Sequence, residues 1–326
     1  MLCLEAFKTK NTVLSRREFA RAASALSLAT FPRFAEGGRI DSTIRGVKIG
    51  ITSGSLNPLP EIPGKDRLDT IIEQCVQLGV GNVELASGFL GPSVKGTVGG
   101  QAPKVITPEY QQSREALRQW RLSPSSIDEF RLVRKKVGRA GIDLFSMSNT
   151  VADDATDEEI DMMFRQMQAL NIRIFHTNQS RVSVGPRLVP FAKKYKIYPA
   201  FHTHAEVDDP NEIASVESLA KLLALSDDFK VCLDLGHFTA GNNDAVAYIK
   251  EHHARITHVH VKDRKRNKGP NVEWGTGDTP IAESLVLIRD RQYPIRCIME
   301  REFKGTGTAL EETRKDFNYM KRVLMG

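Results

Sequence analysis

IYPAFHTH, residues 197–204, is apolar as far as Phe201 and then sets two imidazoles, His202 and His204, one residue apart. In an extended strand, residues two apart point to the same face, so both rings share one side. Seven other short β-rich runs share the pattern of an apolar stretch with polar residues near its end. They are VKIGITSG (47–54), NVELAS (82–87), DLFSMSN (143–149), IRIFHTN (172–178), KVCLDLGH (230–237), ITHVHVKD (256–263) and RCIMEREF (296–303). Between them, apolar residues recur at three- and four-residue spacing in 67–79, 126–141, 157–170, 184–195, 211–225, 244–253 and 281–291, and 310–324 closes the chain with another helical pattern. LGVGN and RAGID read as helix-to-strand joints, with Gly free to take a left-handed helix end. Eight βα units in about 280 residues predict a single (β/α)8 TIM barrel over residues 45–326. The alternative, a doubly wound open sheet, would carry a Gly-rich phosphate fingerprint after its first strand, and ITSGSLNPLP (51–60) supplies none.

In such a barrel the strand C-termini form the catalytic face. Glu84 lies at the end of the second run, His176 of the fourth, and His202 and His204 of the fifth. Asp234 and His237 follow on the sixth, His258, His260 and Lys262 on one face of the seventh, and Glu300 and Glu302 on the eighth. Imidazoles and carboxylates are costly to bury alone. A ring of them must be hydrated, mutually paired or bound to a cation. Mixed nitrogen and oxygen donors suit Zn, Mn, Fe or Co better than an all-oxygen Ca or Mg site. The long connection 88–125, Gly- and Pro-rich in its first part, reads either as a lid over this face or as a decoration.

The order CLDLGHF, HVHVKDR, a WGTGD loop and IMEREF resembles the xylose-isomerase-like barrels: sugar isomerases and epimerases, inosose-processing enzymes and endonuclease IV. The resemblance extends over essentially the whole chain after its first forty residues. It implies one divalent ion held by strand-end residues of runs five to eight. Asp234, His260 and Glu300 match three of these ligands. At run five the family usually has Glu, and this chain has His202 instead. His204 keeps the second position there as an acid/base or substrate group. The family moves a proton next to a sugar carbonyl with two metal-bound glutamates. Only Glu300 of that pair is present, so the second base falls to His204, His176 or Glu84. A single base also suits elimination from a 3-keto-glycoside, and a sugar-binding barrel without turnover is a third reading. His237, Lys262 and Trp274 are candidate substrate contacts, although Trp274 also reads as loop packing.

The formal charge of +6 is uneven. Residues 1–40 hold seven Lys/Arg and three acids, leaving 39 basic and 37 acidic residues for the rest. A near-neutral body argues against a nucleic-acid surface, and with it against the endonuclease. SRREF (15–19) followed by ARAASALSLATF resembles a twin-arginine export signal, with a linker to residue 40. That resemblance implies a periplasmic protein exported folded, with its metal loaded. No other run is apolar enough to span a membrane. Cys75, Cys232 and Cys297 read as buried thiols and not as a disulfide framework. The expected partner is a small carbohydrate, and homo-oligomerisation is left open.

Overall fold

The computed structural model describes residues 38–86, 88–97 and 101–326. Arg16, Arg17 and the rest of the expected export signal lie outside the described residues. All eight expected strands form: β2 (Val47–Thr52), β3 (Asn82–Leu85), β4 (Asp143–Ser148), β5 (Ile174–His176), β6 (Tyr198–His202), β7 (Lys230–Asp234), β8 (Ile256–Val261) and β9 (Arg296–Met299). Each pairs in parallel with its successor. β2 also pairs with β9, Ile49 opposite Cys297 and Ile51 opposite Met299, so the sheet closes. Among the described residues this is one (β/α)8 barrel. β1 (Thr43–Ile44) precedes it as an antiparallel partner of β2. The chain is already packed on the barrel at Ile40, whose N–H donates to Gly141 O at 2.9 Å.

The strands read as apolar runs because helices cover their outer face while the inner face fills the barrel. Outward-facing aromatics tie the layers together: Phe175 meets Phe164 edge-on at 5.5 Å, and Phe201 meets Phe229 at 5.0 Å. The two predicted joints behave as Gly allows. Gly79 (φ 71°) ends α1 (Arg67–Leu78) in the left-handed region, and Gly141 (φ 73°) leads into β4.

The connection 88–125 is helical in its second part. It contains α2 (Pro108–Leu122), which is followed by α3 (Pro124–Arg139). Weak apolar periodicity hid α2. Ion pairs to Glu159, a buried residue of α4 (Asp157–Leu170), anchor it instead. Arg114 approaches that carboxylate at 2.8 and 3.0 Å, Arg118 at 3.0 Å and Arg121 at 3.3 Å. Trp120 donates to Glu129 at 3.1 Å and packs beside Phe130. Ahead of α2, Gln101 donates to Gln179 O in the loop after β5, so this segment reaches the strand-end face. In the region 211–225 the helix, α6 (Val216–Leu223), begins later than its periodicity suggested, capped by Ser215.

Candidate metal centre

Strand register stacks polar side chains in two tiers inside the barrel. Asp234 of β7 is level with His260 of β8, and two residues deeper Cys232 is level with His258. The upper tier gathers His202, Asp234, His260 and Glu300. Each offers one ligand atom, and the four atoms lie within 4.8 Å of one another. His202 Nε2 is 3.4 Å from Asp234 Oδ2 and 3.9 Å from Glu300 Oε2, and His260 Nδ1 is 3.0 Å from Glu300 Oε2. All are buried except Glu300, whose side chain keeps 19% exposure toward the cleft.

These residues fit a divalent ion. Among the described residues, His202 Nε2 and Asp234 Oδ2 have no hydrogen-bond partner although both are buried, a costly condition without a ligand. The other edge of each imidazole is held. His202 Nδ1 lies 3.3 Å from His204 Nε2, whose Nδ1 is 2.7 Å from Glu212 Oε1. His260 Nε2 lies 2.9 Å from Glu84 Oε1. Outer carboxylates commonly fix the tautomer and orientation of a ligating imidazole in this way.

Lys262 enters the same cluster. Its ammonium is 3.0 Å from Asp234 Oδ2, 2.8 Å from Glu300 Oε2 and 3.0 Å from Glu302 Oε2, with 2% side-chain exposure. None of these approaches has hydrogen-bond direction, so the attraction is Coulombic. Gly236 makes the room: a Cβ there would stand 2.5 Å from Lys262 Cγ.

The electrostatics separate the two acids. Burial pushes Asp234 up to about 8 against the pull of Lys262. Burial acts to raise Glu300 as well, but Lys262 and His260 hold it well below the usual carboxylate range. Burial, with His176 and His204 nearby, keeps His202 well below the ordinary imidazole value. It is therefore neutral, the form that binds a cation.

The remaining expected residues fall in different places. His204 belongs behind His202: both its nitrogens are engaged, so it positions a ligand and does not face a substrate. Glu84 lies at the bottom, fully buried beneath His176, His258 and His260, at 2.9, 3.1 and 2.9 Å. That depth corrects its expected role as a base. His176 lines a cleft of about 150 Å³ together with Thr52, Ser148, Asn178 and Glu300. A larger concavity of about 630 Å³ runs along Asn57–Thr70 and includes none of the cluster. His237 sits at the rim, its Nδ1 accepting from Arg264 at 2.6 Å. Trp274 is turned into loop packing, edge-on to Tyr319 at 6.1 Å, and is not in the cluster. Its WGTGD loop wraps Asp263, which accepts from the N–H groups of Gly275, Gly277 and Thr279.

Sequence reasoning missed Glu212, which it placed inside the helical pattern 211–225 and which the structure puts in the loop ahead of that helix. It also read Cys232 as an apolar thiol. The three described cysteines are buried and free, but Cys232 stands among imidazoles. Its two-residue spacing from Asp234 was the available signal.

A family model described as xylose isomerase-like TIM barrel matches residues 122–323. No curated protein matches the chain. Among solved structures, the chain is similar to a sugar phosphate isomerase/epimerase from Parabacteroides distasonis, at 16% identity and TM-score 0.57, over 91% of this chain and 100% of that one. It is similar to the 3-keto-D-glucoside 4-epimerase of E. coli, at 9% identity and TM-score 0.57, over 85% and 99%. The D-psicose 3-epimerase of Clostridium cellulolyticum, solved with D-tagatose, is 13% identical with TM-score 0.57, over 85% and 99%. At these identities the likeness speaks for the fold.

Proposed function

The chain belongs to the xylose isomerase-like TIM barrel family, and on that premise we propose that it is a divalent-metal-dependent sugar or polyol isomerase/epimerase that removes a proton next to a carbonyl. The observation that carries this reading is the upper tier. His202, Asp234, His260 and Glu300 converge at the strand ends, and two of the buried ligand atoms, His202 Nε2 and Asp234 Oδ2, have no hydrogen-bond partner among the described residues. The sugar epimerases among the structural relatives support it. A bound Mn, Zn, Co or Fe ion supplies Lewis-acid polarisation of the substrate carbonyl.

The chain's own groups do the rest. Glu300 reaches the cleft and accepts the proton, and Lys262 keeps it ionised. His176 lines the same cleft beside Glu300. His204 and Glu212 hold His202 in place. His237 and Arg264 meet the substrate at the rim. The export reading of Ser15–Phe19 makes this a periplasmic activity on an unphosphorylated carbohydrate, a proposal from sequence alone.

One observation favours elimination as a second reading. The position of the second glutamate is His202, with Nδ1 committed to His204 and Nε2 aimed at Asp234. A single remaining carboxylate base suffices to take a proton beside a 3-keto group while the neighbouring glycosidic C–O bond breaks. The metal-loaded protein in D2O, offered ketohexoses and 3-keto-glycosides, separates the outcomes. Deuterium in an epimer supports the first reading, and an unsaturated ketone plus free alcohol supports the second. Binding without exchange or product removes both and leaves a sugar-binding barrel.

A further inference from the structure

We propose that the lower tier is a second metal site, built from Cys232, His176 and His258 and taking a borderline-soft dication, zinc foremost. It is separate from the proposed catalytic centre and carries no part of the sugar chemistry.

One ligand atom each from His176, Cys232, His258 and His260 lies within 4.8 Å of the other three, and all four residues are buried. A tetrahedral zinc with Zn–N of about 2.0–2.1 Å and Zn–S of about 2.3 Å spaces its donors roughly 3.3–3.8 Å apart. Small side-chain rotations close that gap. His260 stands between the tiers, and its Nδ1 faces Glu300 above, which assigns it to the upper centre. The other three residues are not ligands of that centre.

Three atoms at this level are buried and lack a hydrogen-bond partner among the described residues: His176 Nε2, His258 Nε2 and Glu84 Oε2. His258 Nε2 and Glu84 Oε2 face each other at 3.1 Å, whereas His176 Nε2 faces no partner and costs about 1–3 kcal/mol if nothing binds it. The opposite edges are already tied. His176 Nδ1 is 2.9 Å from Glu84 Oε1, and His258 Nδ1 is 2.8 Å from Thr257 Oγ1. A ring held at one nitrogen and bare at the other, as His176 is, is oriented as a ligand usually is.

The backbone favours the same arrangement. Opposite Val83–Glu84 the partner strand β4 carries an extra residue, Phe145, and opposite Val231–Cys232 the partner strand β8 carries an extra Thr257. Such irregularities re-aim side chains, and these two fall at lower-tier residues. One thiolate with two imidazoles is a zinc set. On binding, the Cys232 S–H proton leaves to solvent and a sulfur–metal bond forms.

Cobalt(II) titration of the chelator-stripped full chain tests this. The expected result is two equivalents per chain, one of them raising intense thiolate-to-cobalt absorption in the near ultraviolet. Cys232→Ser loses that absorption and one equivalent, while Asp234→Asn keeps the absorption and loses the other equivalent. Uptake of one equivalent without the absorption, lost in Asp234→Asn, overturns the second site and leaves the proposed function standing. Absorption lost equally in both variants, or no uptake at all, also overturns the second site. Should Cys232→Ser fail to fold, zinc X-ray absorption on the unaltered protein decides. A sulfur neighbour at about 2.3 Å is expected, and nitrogen and oxygen neighbours alone overturn the site.

Discussion

Replacing Lys262 with Met should tighten metal binding. The ammonium lies 3.0 Å from Asp234 Oδ2 and 2.8 Å from Glu300 Oε2, two of the proposed ligand atoms. An ion on those oxygens would sit about 4 Å from Nζ, and a dication repels a unit charge there by roughly 8 kcal/mol at an effective dielectric of 20. Swinging toward Glu302 to about 7 Å leaves roughly 5 kcal/mol. Removing the charge relieves that residue and also leaves the two carboxylates without a counter-charge in the apo protein. Even after heavy discounting, a gain of at least about 1.4 kcal/mol, tenfold in affinity, is expected. Competition against a chromophoric chelator reads the affinity. Thermal unfolding with and without metal reads the accompanying loss of apo stability, about 3–5 kcal/mol for a buried pair broken on one side. Unchanged or weaker metal affinity in Lys262→Met would refute the competition and make Lys262 a support for the ligands.

Glu212→Gln loosens the hold on His204 and through it His202, and should weaken upper-tier metal affinity about 10–100-fold with the fold intact by circular dichroism. Glu159→Gln leaves Arg121 buried without a carboxylate and Arg114 with Asp154 alone, and should cost about 3–5 kcal/mol in denaturant unfolding, with metal content unchanged. Burial acts to raise Glu159, but its arginines hold it down at about 2. Its stabilisation is therefore complete above the ordinary value of 4.5 and is lost as pH falls toward 2. Asp316 goes the opposite way: burial raises it to about 7. The folded state then binds its proton more tightly, and stability declines as pH rises from about 4 to about 7. Asp316→Asn should remove that slope and gain up to about 4 kcal/mol at pH 8, and an unchanged pH–stability curve would contradict the assignment.

The barrel was legible because each strand is a short apolar run that changes character at its C-terminal end. Helices cover one side of the strands and the catalytic mouth cuts off the other, so burial stops where His176, His202, Asp234, His260 and Glu300 begin. The polar residues at the strand ends followed from the run boundaries and two-residue periodicity, and the family resemblance picked the ligands among them. Residues contributed by loops did not: Glu212, inside the helical pattern read over 211–225, reaches His204 from the loop ahead of that helix. Helix Pro108–Leu122 was illegible because it is anchored on a carboxylate forty residues away in the chain and buries few apolar side chains. The direction in which Lys262 reaches could not be read from spacing, since its long stem bends into the tier of Asp234 only where Gly236 leaves space. Trp274 shows the converse: an aromatic beside a glycine loop looked like a sugar platform and is a packing residue.

The most direct test of the central claim is the metal content of the purified, folded protein beside Asp234→Asn. One equivalent of Mn, Zn, Co or Fe missing from the variant, with circular dichroism unchanged, is the predicted result. Equal metal content in the two proteins, or none in either after reconstitution, would contradict the upper-tier centre and the chemistry derived from it.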